Sequence, residues 1–175
     1  FIMSKLETNT IDNISGSSTL TIGDSNTSTI TLKSGATLTN FPDNTPNFKV
    51  SNSGNTSCAN NTFVKLSADT ETFDSDSAFA SDKFTVPSGK GGKYIFTARV
   101  YMPVNSDSEY TGVSLYKNGG AHSTTSHVHQ NFNIHNHVSI ENVSAGDYFE
   151  IYFNQTTGST QNAQLVEFSG FKIIE

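Results

Sequence analysis

Apolar residues along this chain recur at every second position and almost nowhere at helical spacing. In KYIFTARVYM, residues 93–102, one face carries Tyr94, Phe96, Ala98 and Val100 and the other Ile95, Thr97, Arg99 and Tyr101. In DYFEIYF, residues 147–153, Phe149, Ile151 and Phe153 alternate with Tyr148, Glu150 and Tyr152. Period two marks a strand, because successive strand side chains point to opposite faces. No window of a dozen residues keeps the i, i+3, i+4, i+7 spacing of an amphipathic helix, so the pattern predicts an all-β chain. Further strands are expected at FKVS, TFVKL, KFTVP, YTGVSLYKNG, HNHVSIENV and LVEFSGFKII, separated by SGKGG, NGG, SAGD and TGST turns. About eight strands at this spacing predict a two-sheet sandwich, with the jelly roll as the candidate form.

The two strongest strands carry bulk on both faces. A sandwich strand in a monomer normally turns a polar face outward, so the aromatic residues Tyr94, Phe96, Tyr101, Tyr148 and Tyr152 are expected at an interface between identical subunits. The alternative is half-exposed tyrosine, which proteins tolerate well. Before residue 47 the pattern is thinner: Leu20, Ile22, Ile30, Leu32 and Leu38 stand as single aliphatics among Ser, Thr and Asn. Residues 1–46 are expected to form short strands that need neighbouring copies for a core, or else a flexible Ser/Thr linker. Pro42 and Pro46 mark the boundary to a second unit, residues 47–175, because proline gives the ladder no donor.

Composition narrows the partners. Net charge is −6 with a pI near 5.2, and the ten Lys and Arg residues are scattered, so nucleic acid is excluded as a partner. No run is long and apolar enough to insert in a membrane, and FIMSKLETNT has neither the basic start nor the apolar stretch of a signal peptide. Cys58 is the sole cysteine, so no intrachain disulfide forms.

From Phe48 onward five blocks occur in order: FKVSNSG, FTVPSGKGGKYIFTARVYM, VSLYKNGG, VSAGDYFEIYF and FSGFKIIE. Together they resemble the globular heads of the complement C1q and tumour necrosis factor type. That resemblance implies a jelly-roll sandwich assembled as a homotrimer, carried here on a short β-rich N-terminal segment. No Gly-x-y collagen repeat precedes Phe48. Instead NTIDNISGSSTLTIGDSNTSTITLKSGATLTN is similar in composition and rhythm to N-terminal parts of bacteriophage tail-fibre and structural proteins. The implied protein is a virion component made in the host cytoplasm. Its partners would be other virion proteins, through the N-terminal segment, and a host-surface receptor or glycan. A capsid or tail decoration protein with the head as trimerisation clamp, and a cellular C1q-like adhesin or lectin, stand as alternatives.

On this reading recognition falls on the connections Asn105 to Tyr110, Gly119 to Ser126 and Thr156 to Gln161, since rigid sandwiches carry binding residues on loops. The candidates are Asn105, Ser106, Asp107, Tyr110, Gly119, Gly120, His122, Thr156, Thr157 and Gln161. A separate question attaches to HVHQNFNIHNH, where His127 with His129 and His135 with His137 form two His-x-His pairs. On a strand each pair shares one face, so the four imidazoles are candidate ligands for a transition metal, within one subunit or on a threefold axis. The competing expectation is polar surface histidines with no metal. Asp69, Glu71, Asp74, Asp76 and Asp82 superficially match a calcium loop but lack its Gly and terminal Glu, and a solvated acidic loop is the simpler expectation. SGKGGKY lacks the Ser or Thr of a phosphate loop, and no nucleophile elbow or metalloprotease His-Glu motif occurs, so no enzyme activity is expected.

Overall fold

The computed structural model describes residues 44–103, 110–128 and 134–173, without the side chains of His127 and Val128. The chain divides between Asn40 and Phe41, and everything described belongs to the unit Phe41–Glu175. The strands expected at Leu20, Ile22, Ile30, Leu32 and Leu38 lie outside the described residues, as do Asn105, Ser106, Asp107 and His129.

Among the described residues every regular element is a strand. They are β1 (Asn47–Ser51), β2 (Thr56–Cys58), β3 (Val64–Lys65), β4 (Thr70–Asp74), β5 (Phe79–Ala80), β6 (Lys83–Thr85) and β7 (Gly92–Tyr101). After these come β8 (Tyr110–Lys117), β9 (Gly120–Val128), β10 (Ile134–Val143), β11 (Tyr148–Gln155), β12 (Gln161–Ala163) and β13 (Leu165–Lys172). One sheet runs β10-β7-β13-β1-β4 and the other β5-β6-β11-β8-β9, with β3 added to β11 and the short β2 and β12 paired apart. All described pairings are antiparallel. The all-β sandwich expected from the sequence is therefore the fold observed.

The core between the sheets is built from phenylalanine. Phe48, Phe84, Phe96, Phe149 and Phe168 are buried together, and the Phe96 and Phe149 rings, from opposite sheets, stack at 4.3 Å between centroids. In a chain without Trp these rings are among the largest fully buried side chains of the core. The packing is close enough to require glycine at position 170, where a Cβ would stand 2.7 Å from the Phe96 ring and 3.0 Å from that of Phe48.

Tyr94 and Phe96 correct the interface expectation. Both are fully buried inside one protomer, where the Tyr94 hydroxyl donates to the Lys90 carbonyl at 2.6 Å, so the phenol is satisfied without a partner subunit. Tyr101 takes the other parity and lies half-buried on the outward face of the β7 sheet, while Tyr148 and Tyr152 lie on the outward face of the other sheet. Tyr94 and Phe96 therefore belong to the core, and Tyr101 lies on a different outward face from Tyr148 and Tyr152. On the β11 face, Tyr152 stacks on Tyr116 at 3.8 Å, and the nearly buried Glu150 is held by Lys65 at 2.8 Å. The bulk of Tyr148 and Tyr152 is packed among groups of the same chain.

The connection expected at Gly119 to Ser126 is also corrected, since it is the strand β9. Asn118 and Gly119, with φ of 53° and 80°, form the two left-handed positions of a tight hairpin turn, and Lys117 pairs directly with Gly120. The following Ser, Thr and His residues continue the ladder against β8. The acidic stretch is engaged within the fold: Asp69 accepts from Ser53, Asp74 from the Phe79 amide and Asp82 from the Ala68 amide. Asp74 stabilises its own bend, while Asp69 and Asp82 tie segments 16 and 14 positions apart.

Candidate functional site

The outward face of the β10-β7-β13-β1-β4 sheet is ordered in rows by the strand register. Ile140, Ile95 and Phe171 line up across one row, and Ile134, Tyr101 and Leu165 across another. Between them lie Val138, Thr97, Ser169, Lys49 and Phe73, then Asn136, Arg99 and Glu167. The polar rows are tied internally: Thr97 and Ser169 hydroxyls meet at 2.7 Å, and Glu167 takes Arg99 at 3.3 Å and Lys49 at 3.7 Å.

β10 turns its two faces the wrong way round for a monomer. Val138 and Ile140 are 62% and 65% exposed and Ile134 is exposed as well, while His135 and His137 of the opposite parity are buried. At the other edge of the same face, exposed Phe73 and Phe171 flank a cleft of about 380 Å³, lined also by Asn44, Asn47 and Lys49. One face thus carries an apolar ridge on one edge strand and an apolar cleft near the other. Phe63 and Tyr110 are the other large apolar side chains exposed among the described residues.

Behind the ridge, β9 and β10 are edge strands of opposite sheets and are joined by side chains. His137 Nδ1 meets the Thr125 hydroxyl at 2.8 Å, and its Nε2 is buried without a hydrogen-bond partner. Burial lowers the pKa of His137 below the ordinary imidazole value, against the opposing charge of Glu141. His135 lies edge-on to Phe153 at 5.0 Å. At the rim His122 Nε2 contacts a Glu141 oxygen at 2.7 Å, and Ser139 donates to the other Glu141 oxygen. Burial raises the Glu141 pKa, but the Ser139 and His122 contacts outweigh it and leave the carboxyl more acidic than usual.

The His-x-His expectation is corrected in its geometry. His135 and His137 do share a face, but that face is the sandwich interior, and they pack there against Phe153 and Thr125. No three His, Cys, Asp or Glu side chains come together among the described residues. Cys58 is buried, which pushes its thiol up to about 11 and leaves it unreactive at neutral pH.

The recognition candidates separate to opposite ends of the sandwich. Tyr110 opens β8 and Gly119 follows its end, about 25 Å away at strand rise. The Gly119 end lies with Asp147, Ser144 and Val143, and Val143 pairs with Gly92 beside Lys93. The described chain enters there too, since Lys172 donates to the Pro46 carbonyl and Ile173 to that of Lys93. Gly120 and His122 therefore sit on a strand near this entering end. Tyr110, Thr156, Thr157 and Gln161 gather at the far end.

That far end is held by a residue the sequence did not single out. Gln155 is fully buried; its amide nitrogen donates to the Cys58 and Ser159 carbonyls at 3.0 and 2.9 Å, and its oxygen accepts from Thr157 N and Oγ1 at 2.8 and 2.7 Å. Gly158, with φ of 83°, donates to Asn60 at 2.9 Å. Tyr110 and Thr156 exchange backbone and hydroxyl bonds, which ties the start of β8 to the same turn. A glutamine flanked by Asn and Thr in a turn-rich stretch gave no pattern from which this role could be read.

The fold and its two ends define a jelly-roll head with a preformed loop cluster opposite the point where the chain enters. No family model matches the sequence, and no curated protein matches it either. Solved structures do match. The globular domain of a zebrafish complement 1qA protein is similar with a TM-score of 0.55 at 14% identity, over 74% of this chain and 98% of that one. Murine APRIL has a TM-score of 0.48 at 9% identity, over 70% of this chain and 98% of that one. Rabbit GITRL has a TM-score of 0.35 at 20% identity, over 66% of this chain and 78% of that one. The zebrafish domain shows the fold to be of the C1q type, in accord with the resemblance found in the sequence blocks.

Proposed function

We propose that this chain is a non-enzymatic, homotrimeric virion protein of tail-fibre or appendage type. The N-terminal segment attaches it to other virion proteins, and the C1q-like head binds a host-surface receptor or glycan through the loops around Tyr110, Thr156 and Gln161. The observation that carries the proposal is the inverted β10: its apolar parity faces outward and its imidazole parity inward. A strand with exposed Ile134, Val138 and Ile140 on a face that also exposes Phe73 and Phe171 needs cover, and further copies of the chain supply it most economically. The tail-fibre-like rhythm of residues 1–46 supports the virion role, and the rigid Tyr110–Thr156–Gln161 end supports recognition.

Light scattering of the purified chain at micromolar concentration tests the assembly, with a mass near three times 18.9 kDa expected. Glycan-array and bacterial-envelope binding test recognition, with Tyr110→Ala expected to weaken binding while leaving the trimer intact. A trimer that binds neither would move the protein to a decoration or clamp role, and a monomer would sink both.

A further inference from the structure

We propose that the outward face of the β5-β6-β11-β8-β9 sheet is a binding track for an acidic glycan, in which linked sugar rings lie along Tyr148, Tyr116, Tyr152 and Phe63 and a carboxylate meets Lys83. This site is separate from the loops around Tyr110, Thr156 and Gln161 and shares with that reading only the class of ligand. The strand register builds the line. Tyr148, Glu150, Tyr152 and Asn154 are the outward parity of β11; Tyr116 pairs with Glu150 on one side, and Lys65, two positions after Phe63, pairs with Tyr152 on the other. The Tyr116 and Tyr152 rings stack at 3.8 Å and 20°, and Phe63, 47% exposed, lies 6.1 Å from Tyr116. From Tyr148 to the level of Asn154 the strand rises about 20 Å, long enough for several linked sugars. Because the rings already pack on one another, little side-chain freedom is left to lose on binding.

The chemistry along the line suits a sugar better than a lipid or an apolar peptide. Aromatic rings take the C–H face of a pyranose, while its hydroxyl rim needs donors and acceptors. Among the described residues the phenol hydroxyls of Tyr116, Tyr148 and Tyr152 and the side chain of Asn154 make no hydrogen bond, so all four are open to a ligand. Towards β9 the face steps down to exposed Thr124 and Ser126, opposite Ser114 and Gly112, and these short side chains leave room beside the rings. Charge narrows the ligand further. Glu150 neutralises Lys65 at 2.8 Å, whereas Lys83 holds its ammonium 4.8 Å above the Tyr148 ring with no carboxylate partner among the described residues. One uncompensated cation beside stacked rings fits a carboxylated sugar. Single-stranded nucleic acid also stacks on such rings, but it requires a groove lined with cations, and this chain has a net charge of −6.

Calorimetric titration of the full chain with hexamers of mannuronate, galacturonate and glucuronate tests this, each beside its methyl ester as the uncharged counterpart. Tyrosine fluorescence gives a second readout, because the chain has no Trp and its six Tyr include Tyr116, Tyr148 and Tyr152. At least one carboxylate hexamer should bind. Tyr116→Leu or Tyr152→Leu should weaken it about tenfold, Tyr152→Phe should retain it, and Lys83→Gln or esterification should cost about two- to fivefold. The track is overturned if no carboxylate hexamer binds, if both leucine variants bind as the wild type does, or if an ester binds as tightly as its acid. A thymidine oligonucleotide that binds more tightly than every hexamer overturns it too, as does a changed oligomer mass in Tyr116→Leu, which marks a contact between copies. If the leucine variants do not fold, Phe63→Ser removes an exposed ring of the same line, and unchanged affinity there overturns the track. Glycan-array binding lost in Tyr110→Ala but kept in Tyr116→Leu overturns the track and leaves the loop reading standing; the reverse result supports the track against the loops.

Discussion

A closed threefold ring joins unlike patches, because no subunit surface meets its own image around a threefold axis. The apolar ridge of one copy should therefore seat in the cleft of the next, and the two can be disabled separately. A ridge variant carries Val138→Asp and Ile140→Asp, and a cleft variant carries Phe171→Asp. Full burial of such a side chain is worth about 1.5–3 kcal/mol, and the exposure of 62% and 65% leaves about 1–2 kcal/mol each still to be gained. Two side chains in three equivalent contacts amount to roughly 6–12 kcal/mol per ring, enough to turn a micromolar assembly into monomers. Since the positions are exposed in the protomer, both variants should remain folded, with unchanged far-UV spectra. Each alone should run as a monomer in sedimentation velocity. An equimolar mixture should give an open heterodimer, joining the intact ridge of one variant to the intact cleft of the other. No heterodimer from a wild type that is trimeric would refute ridge-in-cleft docking, and a monomeric wild type would refute the assembly itself.

Gly170→Ala forces a methyl to 2.7 Å from Phe96 Cδ1 and 3.0 Å from the Ile95 carbonyl, and should cost about 1–3 kcal/mol in denaturant unfolding. Gly54→Ala, with nothing within 4 Å, is the control and should be neutral or up to about 1 kcal/mol stabilising; equal effects would contradict the packing described. Asp147 is held at a pKa of about 2 by the Asn118 amide first, then by Lys117 and the Ser144 amide. Its folded pKa lies below the ordinary carboxyl value of 3.8, so the stability it adds is complete above about 4 and is lost as pH falls through 2. Asp147→Asn should lower the melting temperature at neutral pH and flatten its fall between pH 4 and 2.

β7 and β11 were legible in the sequence because strict alternation and dense aromatics leave one reading. β9 was not: GAHSTTSHV has no apolar parity, and its strand character comes from the Asn118–Gly119 turn and pairing to β8. Parity also fixes which side chains share a face without saying which face is inside. Tyr94 and Tyr101 look alike in the sequence, yet a carbonyl at Lys90 makes the first a core residue. β10 is the sharper instance, because hydrophobicity alone would turn Val138 and Ile140 inward and the two histidines outward. The Gln155 network joins Cys58, Thr157 and Ser159, and its first link spans 97 positions, so no local pattern encodes it.

The turn around Gly158 owes its shape to one buried glutamine, to Asn60 and to main-chain carbonyls. Its solvent-facing positions, Ser159 at the backbone level and Thr160 beside it, can change chemistry while the curvature of the loop persists. Form and display are thus encoded by different residues. Such a separation lets the displayed side chains vary by point mutation without refolding the head, and makes this bend a natural graft point for foreign peptide epitopes.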